Sequence, residues 1–255
     1  MKTDNLIIIY YMKQKIQLLV IIPARAKSKK LKNKNIRRLG GHPLIAYSIQ
    51  AAKAINERNK VIHLSTDSKK ILNIGKKYYD FTNDLRPKDL SGDYSLDLEF
   101  LNHTLKQYKK KNFFFKFCLI LRPTNPLRNK ETINNFYRKF KNSEFDSLKS
   151  IFESPKTPYK MWIKKNNQIK NIFINKKGEF YNYPRQKLPQ TYYQTGTIEI
   201  VKINYNTILK SFSGKKIMGL KISKEEAIDI DEINDFRKAS KMIGSKKFVI
   251  PKKLK

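Results

Sequence analysis

Two groups of residues in this 255-residue chain have the types and spacing to do chemistry. The first is cationic. Arg25, Lys29 and Lys34 stand in the stretch Ile21 to Asn35, between an apolar run, Ile16 to Ile22, and a helical pattern that starts near Pro43. Cations and loop N–H groups together bind polyphosphates, and open α/β sheets hold such ligands beyond a strand's carboxyl end. The second group is acidic: Asp229 and Asp231. In extended backbone a spacing of two places both side chains on one face. Such a pair makes a Mg²⁺ site that substrate phosphates complete. The same spacing also suits Asp231 as the N-cap of a closing helix, and spacing alone leaves both readings open.

Positioning these groups requires an alternation of strands and helices. Strands are expected over Ile16–Ile22, Val61–Leu64, Phe113–Leu121, Ser147–Phe152, Thr197–Lys202 and Ile217–Ile222. Helices are expected over Leu44–Ile55, Lys69–Tyr78, Leu96–Lys109, Lys130–Lys141 and Glu232–Met242. This order predicts an α/β fold, a Rossmann-like, mainly parallel sheet with helices on both faces. Residues 154–195 break the pattern with prolines, many tyrosines and the single Trp162. They read as a protruding hairpin and loop excursion, suited to a dimer contact. One domain is therefore expected over residues 14–245. Residues 1–13 read as an N-terminal extension, because Met12-Lys13-Gln14-Lys15 resembles a chain start, and residues 246–255 read as a basic tail.

The net charge of +34 raises nucleic-acid binding as a function. Two features argue against it as the main role. Only ten of the 55 basic residues are arginine, the side chain favoured for bidentate phosphate and base readout. The lysines are also spread along the whole chain. No apolar run reaches the length of a membrane span. The one cysteine, Cys118, lies in an apolar run and reads as a buried thiol, consistent with a cytoplasmic protein. His42, His63 and His103 are isolated, so no zinc spacing appears, and no Gly-x-Ser-x-Gly elbow is present.

The loop order Pro23-Ala24-Arg25, Ser28-Lys29, Lys34-Asn35 resembles the nucleotide loop of the cytidylyltransferases that make CMP-sialic acid and related CMP-nonulosonates. Five further blocks follow in the order of that family: Leu64 to Asp67, Leu85 to Ser91, Leu121 to Arg128, Tyr183 to Pro189 and Ile228 to Asp231. The resemblance implies transfer of CMP from CTP to the anomeric hydroxyl of a sugar acid, with release of pyrophosphate. It implies that Arg25, Ser28, Lys29 and Lys34 contact the triphosphate, that Asn35 lies beside the nucleotide, and that Arg86 and Ser95 lie near base and ribose. Arg122, Thr124, Asn125, Arg185 and Gln186 fall on the sugar-acid side, with Arg185 as the carboxylate partner. Asp229 and Asp231 become ligands of Mg²⁺, and Arg25, Lys34 and Asp231 the catalytic set. A homodimer with no specific nucleic-acid partner is implied as well.

Several positions depart from the family pattern. Ala26, Lys27 and Lys30 stand where its loop usually has glycines, and Lys32 replaces a common proline. Arg122 replaces a glutamine, Thr195 an asparagine, and Glu199 a residue that is often tyrosine. The last three lie on the sugar side, which points to a legionaminic- or pseudaminic-type acid, or another sugar acid, and leaves the nucleotide open. The alternatives are a related nucleotidylyltransferase using another NTP or a sugar phosphate, and a polyanion-binding protein on a degenerate scaffold.

Overall fold

The computed structural model describes residues 14–28, 30–82, 84–173, 178–203, 210–244 and 247–254. The expected N-terminal extension, 1–13, lies outside them, as does Lys29. In chain order the strands and helices are β1 (Gln14–Pro23), β2 (Arg38–Leu39), β3 (His42–Pro43), α1 (Leu44–Lys53), β4 (Lys60–Ser65), α2 (Lys69–Lys76), α3 (Asp97–Lys110), β5 (Phe113–Ile120), α4 (Lys130–Lys141), β6 (Ser147–Glu153), β7 (Trp162–Lys165), β8 (Gln168–Asn171), β9 (Tyr192–Lys202), β10 (Ile217–Lys221) and α5 (Ile233–Met242). Six strands form one sheet in the order β10-β6-β9-β5-β1-β4. Only β9 runs against its neighbours, so the sheet is mainly parallel, as expected.

β1 reads as an unbroken apolar run because both its faces are covered. Leu18, Val20 and Ile22 point into a core shared with α1 and α4, while Leu19 and Ile21 meet Phe100, Leu101 and Leu105 of α3. Local chemistry starts two of the helices. Ser68 caps α2 by accepting the Ile71 N–H at 3.3 Å, and Asn129 caps α4 by accepting the Glu131 N–H at 2.7 Å. The short β2–β3 hairpin, absent from the sequence reading, turns on Gly40 and Gly41 at φ 52° and 84°, a region glycine enters without strain. β9 begins five residues before the expected Thr197. Its first part, Tyr192–Gln194, pairs only with β6 and is exposed, so it carries no core-strand signature.

A third apolar cluster matters most for function. It joins Leu31 of the basic loop, Leu127, Ile230 between the two aspartates, Ala239 and Ile243 near the chain's end, and Phe248. Packing these residues together draws the basic loop and the acidic pair to one end of the sheet. The segment read as a basic tail contributes to this cluster rather than standing apart. Phe248 is buried, the Val249 N–H donates to the Arg128 carbonyl at 2.9 Å, and the Leu254 N–H donates to the Lys77 carbonyl at 2.9 Å.

Candidate functional site

A cleft of about 460 Å³ opens at the carboxyl ends of β1, β4 and β5. Arg25, Ser28, Lys34 and Asn35 form one side, Arg86 and Ser95 another, and Arg122, Thr124 and Asp231 the third. This is where an open parallel sheet presents unpaired strand ends and loop N–H groups to a ligand. The basic loop is braced from beneath. The Ala26 N–H donates to Asp67 Oδ1 at 2.7 Å, and the Asn35 amide donates to the Arg25 carbonyl at 2.8 Å. Asn33 turns the chain at φ 57°. Arg25 reaches the Gly92 carbonyl and the Asp93 carboxylate, both at 2.9 Å.

The acidic pair faces this loop. Lys34 Nζ lies 2.8 Å from Asp231 Oδ1. Buried Ile230 anchors the strand-like segment, its N–H donating to the Thr124 carbonyl at 2.8 Å. The capping role that spacing allowed for Asp231 goes elsewhere. Glu232 is the N-cap of α5, and Asp235 accepts the N–H groups of Asp231 and Glu232 at 3.2 and 3.0 Å. The Asp231 carboxylate is thus free of helix duty and points to the cleft.

The two carboxylates differ in their affinity for a proton. Desolvation by the surrounding protein raises the pKa of Asp229, and the neighbouring Asp231 raises it further against the pull of the Thr124 hydroxyl, Lys34 and Arg122. The hydrogen bond from Lys34 holds Asp231 below the usual carboxylate range. Two neighbouring carboxylates, both solvent-exposed, are a place where a divalent cation offsets mutual repulsion, so the pair fits Mg²⁺. Among the described residues no third His, Cys, Asp or Glu joins them. A Mg²⁺ held there would take its remaining ligands from water or substrate oxygens.

On the β4 side, Arg86 is buried with its guanidinium over the Phe100 ring at 5.5 Å. Its Nε donates to Ser91 Oγ at 2.9 Å, and burial pulls its pKa down. Ser95 lines the cleft and donates its hydroxyl to the Asp89 carbonyl at 3.2 Å. Arg122 is held by two carboxylates. It donates to Glu199 Oε1 from Nε at 3.2 Å and from Nη2 at 2.7 Å, and pairs end-on with both Asp97 oxygens through Nη1 and Nη2. Glu199 Oε2 in turn takes Lys149 Nζ at 2.5 Å.

The structure redirects some of the expected sugar-side residues. Asn125 is fully buried, and its amide donates to the Thr195 and Ile228 carbonyls at 3.2 Å each. It ties the acidic segment to the cleft floor rather than offering itself to sugar hydroxyls, because a turn between two prolines buried it. Arg185 and Gln186 are exposed on a short 3₁₀ turn and are absent from the cleft walls, with Arg185 donating to the Ser154 carbonyl at 3.3 Å. Thr124 stays on the wall. Asp93 and Asp97 were missed. The available signal for Asp97 was its place at the start of a helix beside Ser95, a weak one.

Residues 19–242 match the family model described as Cytidylyltransferase. The chain is 31% identical over 225 residues to N-acylneuraminate cytidylyltransferase of Escherichia coli O18:K1:H7, covering 88% of this chain and 51% of that protein. It is 38% identical over 120 residues to CMP-N,N'-diacetyllegionaminic acid synthase of Legionella pneumophila, covering 47% of this chain and 51% of that one. It is 32% identical over 180 residues to pseudaminic acid cytidylyltransferase of Campylobacter jejuni, covering 70% and 75%. The chain thus spans about half the length of the first two relatives. A solved CMP:2-keto-3-deoxy-manno-octonic acid synthetase, complexed with CTP, shares the fold at a TM-score of 0.62 and 12% identity, over 89% of this chain and 98% of that one. Fold, cleft, motif order and matched length agree: the chain belongs to the cytidylyltransferase family.

Proposed function

We propose that the protein transfers CMP from CTP to the anomeric hydroxyl of a nonulosonic acid, of sialic, legionaminic or pseudaminic type, releasing pyrophosphate for surface-glycan synthesis in the cytoplasm. The observation that carries this reading is the 2.8 Å pairing of Lys34 with Asp231 across a cleft that Arg25 also lines. A basic loop that meets Asp231 in one cleft, with Asp229 two residues away beside it, is what a triphosphate and its metal need. The relatives' names supply the two substrates.

In this mechanism Arg25, Ser28 and Lys34 bind the phosphates and offset the charge that builds on the departing pyrophosphate. The bond between the anomeric oxygen and the α-phosphorus forms as the bond from the α-phosphorus to the β-phosphate oxygen breaks. The hydroxyl proton is drawn toward the Asp231 carboxylate. Asp229 and Asp231 would hold Mg²⁺, which supplies Lewis-acid neutralisation of the phosphate oxygens when bound. Arg86 and Ser95 face base and ribose. The rest of the rate comes from alignment of the two substrates.

Pyrophosphate release measured across the four NTPs and a panel of sugar acids tests the reading. Turnover is expected with CTP, a sugar acid and Mg²⁺. Turnover only with a sugar 1-phosphate would reject it.

The same reading includes a homodimer. Met161, Trp162, Ile163, Ile169 and Ile172 are exposed on and beside the β7–β8 hairpin, an apolar group that a second copy would cover. Sedimentation at micromolar concentration is expected to give twice the chain mass, and a monomer there removes the dimer from the proposal.

A further inference from the structure

The wall of the cleft around Arg122 is built unlike a carboxylate receptor. Arg122 makes four hydrogen bonds to Asp97 and Glu199, which leaves one of the five guanidinium N–H groups unspent. A substrate carboxylate arriving there would find no open fork and would meet two fixed negative charges. What the wall does present is Asp97. It lines the cleft, and its side chain is 36% exposed, whereas Glu199 behind it is 1% exposed. A carboxylate oxygen that already accepts from arginine keeps further lone pairs for a second donor.

The position of this group decides which substrate it meets. Across the sheet the order runs from Arg86, after β4, through Arg25, after β1, to Arg122, after β5, and then to Glu199 on β9 and Lys149 on β6. Glu199 and Lys149 sit in register on their two strands. With the nucleotide at the Arg86 and Arg25 end, the Asp97–Arg122–Glu199–Lys149 chain of charges extends away from it, toward the acceptor. The chain is neutral in sum, so it is self-contained and does not need the ligand for charge balance. Asp97 is also the first residue of α3, where the helix N-terminus favours a carboxylate.

Building on the function proposed above, we infer that Asp97 is the specificity-determining residue on the acceptor side, its carboxylate accepting a hydrogen bond from a hydroxyl or amide N–H of the sugar. Arg122 is the positioning residue that fixes Asp97, and the substrate's own carboxylate binds elsewhere. This explains why two sugar-side departures, Arg122 and Glu199, occur together: each is the other's ion-pair partner, and Lys149 completes the set.

Asp97→Ala and Asp97→Asn, assayed for pyrophosphate release with whichever acceptor the unaltered protein uses, test the inference. The Ala variant is expected to raise the acceptor KM about tenfold or more, the worth of a hydrogen bond to a charged group, while the nucleotide KM stays within about twofold. The Asn variant keeps an acceptor oxygen and should fall between the two. Circular dichroism checks that both are folded. Two acceptors that differ only by acetamido against hydroxyl at one carbon distinguish the donor, since the one that engages Asp97 loses most in the Ala variant. An unchanged acceptor KM overturns the inference. A rise in the nucleotide KM alone overturns it by assigning Asp97 to ribose. A lower acceptor KM overturns it by showing that the freed Arg122 captures the substrate carboxylate. If the working acceptor proves to be a sugar 1-phosphate, the sugar-acid reading fails, and the same comparison of KM values still decides the role of Asp97.

Discussion

Asp231→Asn should give a folded protein whose kcat is lower by about 10²–10³-fold, the usual loss when one preorganised electrostatic group leaves a reaction centre. The carboxylate is 54% exposed, and its partner Lys34 is 15% exposed. With its carboxylate this open to water, the pair adds little to stability. The start of α5 does not depend on it either, because Glu232 and Asp235 satisfy that end of the helix. The same exposure lets the carboxylate serve a ligand. The Asn side chain keeps the volume and one acceptor oxygen but loses the charge to which the proposed mechanism gives the metal and the proton. A double-mutant cycle with Lys34→Ala should be strongly non-additive, since the two groups touch. Thermal melts and kcat measured side by side check both halves of this expectation. An unchanged kcat in the Asn variant would remove Asp231 from the reaction and with it the proposed mechanism.

Arg128→Met should cost about 3–5 kcal/mol of stability, read from equilibrium urea denaturation. Arg128 is fully buried. Its Nε donates to the Thr197 carbonyl at 2.8 Å, Nη1 to Ser48 Oγ at 3.1 Å and Nη2 to the Arg122 carbonyl at 2.8 Å. Burial, reinforced by nearby Arg122, pulls its pKa down to about 9, so it is still a cation at neutral pH. Met fills much of the volume but takes the arginine donor away from the buried Thr197 carbonyl and the buried Ser48 hydroxyl, each a penalty of about 1–3 kcal/mol, while the Arg122 carbonyl keeps only the Asn125 N–H at 3.2 Å. The loss should also reach the cleft, because the Arg122 carbonyl begins the loop that carries Pro123 and Thr124 into the wall. A denaturation midpoint equal to that of the unaltered protein would show that the guanidinium is dispensable.

Several functional features were legible in the chain itself. The apolar run of β1 and the span of α4 follow from signals within a few residues of one another. The basic loop and the acidic doublet were legible for the same reason, since residue type and spacing are local. The excursion's break with the alternating pattern was visible too, and it holds the β7–β8 hairpin.

Tertiary structure alone decided which charges meet. Lys34 and Asp231 are 197 positions apart, and Arg122 and Glu199 are 77 apart. Their pairing depends on how far apart folded segments lie, a quantity that apolar contacts such as Leu31 with Ile230 set. The fold therefore determined that Asp231 faces the cleft instead of capping α5, that Asn125 is consumed by backbone carbonyls, and that Arg185 and Gln186 stand off the cleft walls. Periodicity and caps are read over one or two turns of chain, whereas a Coulomb partner is chosen by distance in space.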